Sequence, residues 1–174
     1  ENDREKHDQI KRQMRTYDLF LHACSKRGIP AQIMMKRLPI INSEIANILQ
    51  GVVDFTVSLE SDTVSNAMDI YIDYGDSKRV IELASGMEKM ISSLAIRVAL
   101  INTSSLTKTN MIIIDEGFGS LDATNLEACT RLLDSLKKWF RNILVISHVD
   151  AVKDCVDNSV EITKKGKDSY VYFA

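Results

Sequence analysis

The chain has 174 residues, about one domain, with 45% apolar and 26% charged residues, an ordinary globular composition with enough apolar content for a core. A net charge of −2 excludes a uniformly basic nucleic-acid binder and leaves any DNA contact to local patches. Cys24, Cys129 and Cys155 stand far apart without C-x-x-C spacing, which argues against a zinc site or a disulfide scaffold and fits a reducing cytoplasm.

No apolar run approaches the roughly 20 residues of a bilayer span, so no membrane role is expected, and the charged N-terminus is not a signal peptide. The chain starts without Met inside a helical pattern and reads as a fragment of a longer one. Across residues 1–27, Ile10, Met14, Tyr17 and Leu21 recur at helical spacing among many charges, as in an amphipathic helix at the end of a coiled coil. Gly28 and Pro30 stop it. A second helix is expected from Pro30 to Gln50, interrupted near Pro39.

The period then changes to two. Val53, Phe55, Val57 and Leu59 alternate with polar residues, as do Met68, Ile70, Ile72 and Tyr74; Gly75-Asp76 punctuates, and Val80–Leu83 resumes. Three antiparallel strands are expected. Ser85 to Asn102 reads as a helix with Met90, Leu94, Ile96, Val98 and Leu100 on its apolar face. Met111–Ile114 is a wholly apolar run, expected to be a strand buried on both sides. Thr124–Phe140 reads as a helix with Leu126, Cys129, Leu132, Leu133, Leu136 and Phe140 on one stripe. Ile143–Ile146 is a second buried strand, Ala151–Val156 a short helix, and the end a hairpin around Lys165-Gly166-Lys167. The later half is therefore a parallel α/β pattern. In such sheets ligands bind beyond the carboxyl ends of the strands, which singles out Asp115-Glu116 and Ser147-His148.

Paired carboxylates at a strand end suit a metal–nucleotide site. One supports the hydration shell of Mg²⁺ and the other orients or deprotonates a water. The plainer reading is an acidic pair that ends a buried strand. Ser85-Gly86-Met87-Glu88 has the S-x-x-E spacing of a capping box, and the same helix start is also an anion site. The two readings are compatible. His148 is either a hydrogen-bonded structural residue or a phosphate donor. Asp122, in the loop Gly117-Phe118-Gly119-Ser120-Leu121-Asp122, is open to reading as a cap before Thr124.

Order and spacing decide what each motif alone does not. Leu83-Ala84-Ser85-Gly86-Met87-Glu88, then Met111–Asp122, then Ile146-Ser147-His148 resembles the second half of an ABC-type ATPase head: signature motif, Walker B, D-loop and H-loop. Within that superfamily, "DEGFGSLD" and "ISHVDAVKD" resemble the SMC-related, SbcC-type ATPase of the DNA double-strand-break repair nuclease complex. The resemblance covers residues 1–163 and is strongest over 81–157. It implies a returning coiled-coil stub over 1–27 and a C-terminal lobe of the head over 28–174. That lobe is α/β, with parallel strands and helices plus an antiparallel segment.

The chain departs from the family pattern. Ala84 and Met87 replace the usual Leu and Gly of the signature, where viral and phage recombination ATPases vary, so a phage source would fit. No G-x-x-x-x-G-K-[ST] phosphate loop (Walker A) occurs, and neither does the cysteine hook of the coiled-coil apex. In the family the phosphate loop lies on the N-terminal half.

The resemblance assigns roles. Asp115 supports Mg²⁺ through water, Glu116 polarises the attacking water and His148 contacts the γ-phosphate. Ser85 and Gly86, with Met87 and Glu88 of the same motif, face the nucleotide of the other head. Asp122 crosses the dimer interface, and Arg97 transmits nucleotide state to the coiled coil. ATP would be the glue between two heads, and the implied partners are the Walker A half, a second head, a nuclease subunit docked near 1–27, and double-stranded DNA. Basic clusters at Lys11/Arg12/Arg15, Lys36/Arg37, Lys137/Lys138/Arg141 and Lys164/Lys165/Lys167 are DNA candidates, each otherwise a solvated face. The implied location is the cytoplasm, with the nucleoid. The alternative is a non-catalytic SMC-like tethering module that only completes a partner's site.

Overall fold

The computed structural model describes residues 2–62, 67–115, 118 and 126–173. The chain divides into two compact units, residues 1–40 with 59–69, and residues 41–58 with 70–174.

The first unit contains α1 (Asn2–Cys24) and the start of α2 (Ile29–Leu49). Ile10, Met14, Tyr17 and Leu21 alternate in steps of four and three, the seam spacing of a coiled coil, and all are exposed. Gly28 turns the chain between the helices. Its amide donates to the Ser25 carbonyl at 3.0 Å. A Cβ there would lie 2.3 Å from the His22 and Ala23 carbonyl oxygens, so no larger residue fits without moving backbone.

The expected break at Pro39 does not occur: α2 runs through it. Proline removes one helical hydrogen bond and costs about 3 kcal/mol in a helix interior. Burial of Leu38, Ile41, Ile45, Ile48 and Leu49 on one face offsets this, since each fully buried side chain contributes roughly 1.5–3 kcal/mol.

Strands β1 (Thr56–Ser61), β2 (Met68–Asp73) and β3 (Lys78–Val80) form one sheet in the order β1-β2-β3. β2 and β3 are antiparallel, with Asp73 opposite Lys78. Period-two burial holds in part: Phe55, Val57, Leu59 and Ile72 are buried, Val53, Ile70 and Tyr74 are half-buried, and Met68 is exposed. The Val80–Leu83 segment departs from the expected strand. β3 stops at Val80, and Ile81–Leu83 winds into a 3₁₀ turn, closed by the Ala84 amide on the Ile81 carbonyl at 3.0 Å.

α3 (Gly86–Thr103) buries Ile91, Leu94, Ala95, Val98 and Ala99. That stripe follows the i, i+3, i+4, i+7 rule, and the expected Leu100 lies outside it and is exposed. β4 (Met111–Asp115) and β5 (Asn142–Ile146) pair in parallel, as expected. α4 (Leu126–Leu136) buries Cys129, Leu132, Leu133 and Leu136 and packs on a 3₁₀ turn at Asp150–Cys155. Burial, with Cys155 as neighbour, pushes the Cys129 thiol up to about 12, so it is an inert core residue. β6 (Val160–Lys165) and β7 (Asp168–Phe173) form the expected hairpin, with Gly166 at φ 66° in its turn.

One expectation fails in part. Among the described residues, β4 and β5 are not covered on both faces. Ile112 and Ile114 face inward, whereas Met111, Ile113, Leu144 and Ile146 are exposed, at 43–54%. Alternation along a strand puts these four on one side, which no described part of the chain covers.

Candidate functional site

The register of the parallel pair sets the first group of residues. Asp115 lies opposite Ile146, so Asp115 and the Ser147-His148 peptide leave the sheet at the same carboxyl edge. Ile114 is buried and Asp115 exposed, which places the carboxylate on the uncovered face, at its end. Ser147 accepts through Oγ from the Val149 amide at 3.1 Å and so fixes the chain as it enters the 3₁₀ turn. His148, between them, is exposed. Glu116 and Asp122 lie outside the described residues. Among the described residues no cluster of three metal-ligating side chains occurs. Asp115 is a single hard oxygen donor, which fits an ion such as Mg²⁺ that keeps most of its waters.

The start of α3 forms the second group. Ser85 is the N-cap, with extended backbone at φ −64°, ψ 165°. The Glu88 amide donates to Ser85 Oγ at 3.3 Å, and the Ser85 amide donates to Glu88 Oε2 at 2.7 Å. The capping box is therefore formed. It leaves the Gly86 and Met87 amides, which have no intrahelical acceptor, at the positive end of an 18-residue helix. Ser85 and Gly86 are exposed and Met87 half-buried. The hydroxyl still carries a proton to donate, so cap and anion site coexist.

Glu88 also receives two groups that sequence spacing did not reveal. Tyr74 donates its hydroxyl to Glu88 Oε1. Arg79 donates through Nη2 to both carboxylate oxygens, at 3.1 and 3.3 Å, and to the Tyr74 oxygen at 3.2 Å. Burial opposes the charge on Glu88. The Tyr74 hydroxyl, the Ser85 amide and hydroxyl, and the Arg79 charge outweigh burial and hold its pKa below the ordinary value. The signal for these residues was a hairpin: Gly75-Asp76 between Tyr74 and Arg79 folds both back toward one place. Nothing local tied that hairpin to Ser85.

Arg97 is exposed on α3 and lines an open groove of about 560 Å³ with Lys89, Glu82 and Ile70. Among the basic clusters, Lys137 is held by Asp134 at 3.0 Å and Asp157 at 3.3 Å, so that cluster presents less free charge. Lys11, Arg12 and Arg15 on α1, Lys36 and Arg37 on α2, and Lys164, Lys165 and Lys167 on the last hairpin are exposed. Among the described residues, no helix is long and apolar enough to cross a membrane.

No family model matches the chain. An uncharacterized protein of Acanthamoeba polyphaga mimivirus is 30% identical over 92% of this chain, which covers 13% of that protein. The SbcC subunit of the nuclease SbcCD from Rhodobacter capsulatus is 36% identical over 54% of this chain, which covers 8% of that protein. The chain thus spans about a tenth of the length of these relatives. A solved structure from work on ATP-driven dimerization and DNA-stimulated activation of SMC ATPases superposes with a TM-score of 0.68. It is 19% identical, and the match covers 83% of this chain and 89% of that one.

Proposed function

We propose that this chain, a C-terminal head region of the SbcC/SMC-type ABC ATPases, supplies the signature half of an ATP-driven clamp in a DNA repair or recombination nuclease complex. The observation that carries the reading is the pairing of two built features. One is an exposed, capped helix start at Ser85-Gly86. The other is a strand edge that delivers Asp115 and His148 together.

In this reading two nucleotides lie between two heads. Ser85 Oγ and the Gly86 and Met87 amides donate to the γ-phosphate held by the other head, where a helix N-terminus favours an anion. Asp115 holds Mg²⁺ through water; the bound ion supplies charge neutralisation at the phosphates. Glu116, next in the chain after Asp115, orients a water whose oxygen attacks the γ-phosphorus. Glu116 takes that water's proton as the bond to the β–γ bridging oxygen breaks and ADP leaves. His148 donates to the γ-phosphate. Asp122 reaches across the dimer interface, and Arg97 relays nucleotide state to the coiled coil.

Ligand that binds only the engaged dimer shifts the population toward it, and hydrolysis releases it. The exposed seam of α1 is the returning arm of the coiled coil, with residues 1–27 as its stub and 28–174 as the lobe. The uncovered face of β4 and β5 receives the Walker A half. The remaining partners are double-stranded DNA and a nuclease subunit.

The test is ATP turnover by this chain alone and with a separately supplied Walker A half. The reading expects none from the first and Mg²⁺-dependent turnover from the second. If the combined head engages DNA but never hydrolyses ATP, the tethering-module reading replaces this one.

A further inference from the structure

We propose that Tyr74 and Arg79, on the β2–β3 hairpin, are positioning residues that act through Glu88 to hold the signature serine, Ser85, ready for the other head's nucleotide. The inference rests on the clamp reading above and deepens it.

A capping box needs only its own two residues. Here the box carboxylate has further donors. Glu88 Oε1 accepts from Tyr74 Oη and from Arg79 Nη2 at 3.1 Å. Its Oε2 accepts from the Ser85 amide at 2.7 Å and from Arg79 Nη2 at 3.3 Å. The acceptor sites of the carboxylate are thereby filled from within the chain. Glu88 is then not a ligand for nucleotide but the link between hairpin and helix.

The hairpin is itself fixed. The Tyr74 amide donates to the Ser77 carbonyl at 3.0 Å, and the Gly75 amide to Asp73 Oδ1 at 2.7 Å, with Gly75 at φ 92°. The Tyr74 ring packs at 5.5 Å on Phe55, and the Arg79 guanidinium lies 5.1 Å over that ring. Each contact removes a way for the phenol to turn. The Glu88 side chain is 12% exposed and Arg79 41%, so the link is sheltered on the helix side and wet on the other.

Two effects on the exposed Ser85 follow. Its backbone is pinned through its own amide, so the Oγ direction is set before nucleotide arrives, and preorganised donors lose less on binding. A bare carboxylate at this helix start would also repel an incoming phosphate. Arg79 offsets that charge where it arises.

The test uses the full-length protein in a Glu116→Gln background with Mg²⁺ and ATP as the probe. ATP-driven head engagement is followed by sedimentation, and ATP binding to the unengaged head is followed separately. Tyr74→Phe keeps the ring and removes the hydroxyl. It should raise the ATP concentration for half-maximal engagement by about three- to tenfold, a fraction of the effect of one hydrogen bond to a charged group, because Glu88 keeps its other donors. Arg79→Gln should do the same and Arg79→Lys should recover most of the loss. ATP binding to the unengaged head should be unchanged, because Ser85 acts on the other head's nucleotide.

Engagement as in the parent by both Tyr74→Phe and Arg79→Gln would overturn the inference. So would an equal loss of binding to the unengaged head, which marks general destabilisation. Ser85→Arg in the same assay separates the two levels: if it engages normally, the clamp reading fails, and with it this inference. If Arg79→Gln does not fold, Tyr74→Phe alone decides.

Discussion

Ser85 and Glu88 hold one another at the start of α3: the Ser85 amide donates to Glu88 Oε2 at 2.7 Å while the Glu88 amide donates to Ser85 Oγ at 3.3 Å. One residue pair thus stabilises the helix and presents a hydroxyl and two open amides to solvent. Stability and phosphate binding share the same serine hydroxyl: its oxygen accepts the cap bond and its proton is left to donate.

Ser85→Ala removes the side-chain half of the box and keeps the amides. It should cost about 1 kcal/mol of stability, the usual value of an N-cap. In a head of this size that lowers Tm by roughly 2–4 °C. Thermal unfolding of the intact head checks this. A drop several times larger would mean that Ser85 supports more than the cap.

The pH dependence follows from the sign of the Glu88 shift. Its folded pKa lies below the ordinary value of 4.5. The stability it contributes is therefore fully present above pH 4.5 and is lost as pH falls from there through the depressed folded pKa. Glu88→Gln keeps an acceptor without the charge. Urea unfolding of parent and variant across acid pH should show a narrowing stability gap as pH falls. A constant gap would mean that the carboxylate charge is not what the Tyr74 and Arg79 contacts recognise.

Ile113 and Leu144 pair across β4 and β5 on the uncovered face. If that face takes the Walker A half, Ile113→Asp must bury a charge against it. Capture of a separately expressed Walker A half should weaken at least about tenfold, a modest fraction of the cost of an unpaired buried carboxylate. Undiminished capture would place that partner elsewhere.

The sequence made legible those elements whose periodicity was strong: the parallel pair, the last hairpin and the α4 stripe at Cys129, Leu132, Leu133 and Leu136 lie where expected, although that helix ends at Leu136 and not at Phe140. Local signals misled where tertiary burial overrode them. Pro39 predicted a break, but α2 continues through it because its buried face spans the proline. The apolar run at Met111–Ile114 implied two covered faces, because composition reports what a strand is built to meet and not which chain supplies it. The Ser85–Glu88 box could be read from spacing. Tyr74 and Arg79 could not, because they reach Glu88 from 14 and nine residues away, and only the hairpin brings them there. Glu116 and Asp122 rest on motif order alone.

The central claim is that Ser85 of one head and Glu116 of the other act on the same nucleotide, and ATP-driven dimerisation of the Glu116→Gln head tests it most directly. With Mg²⁺ and ATP, sedimentation should show a stable dimer without turnover, and adding Ser85→Arg should return it to monomer. Normal hydrolysis by Glu116→Gln, or a dimer that persists with Ser85→Arg, would contradict the account.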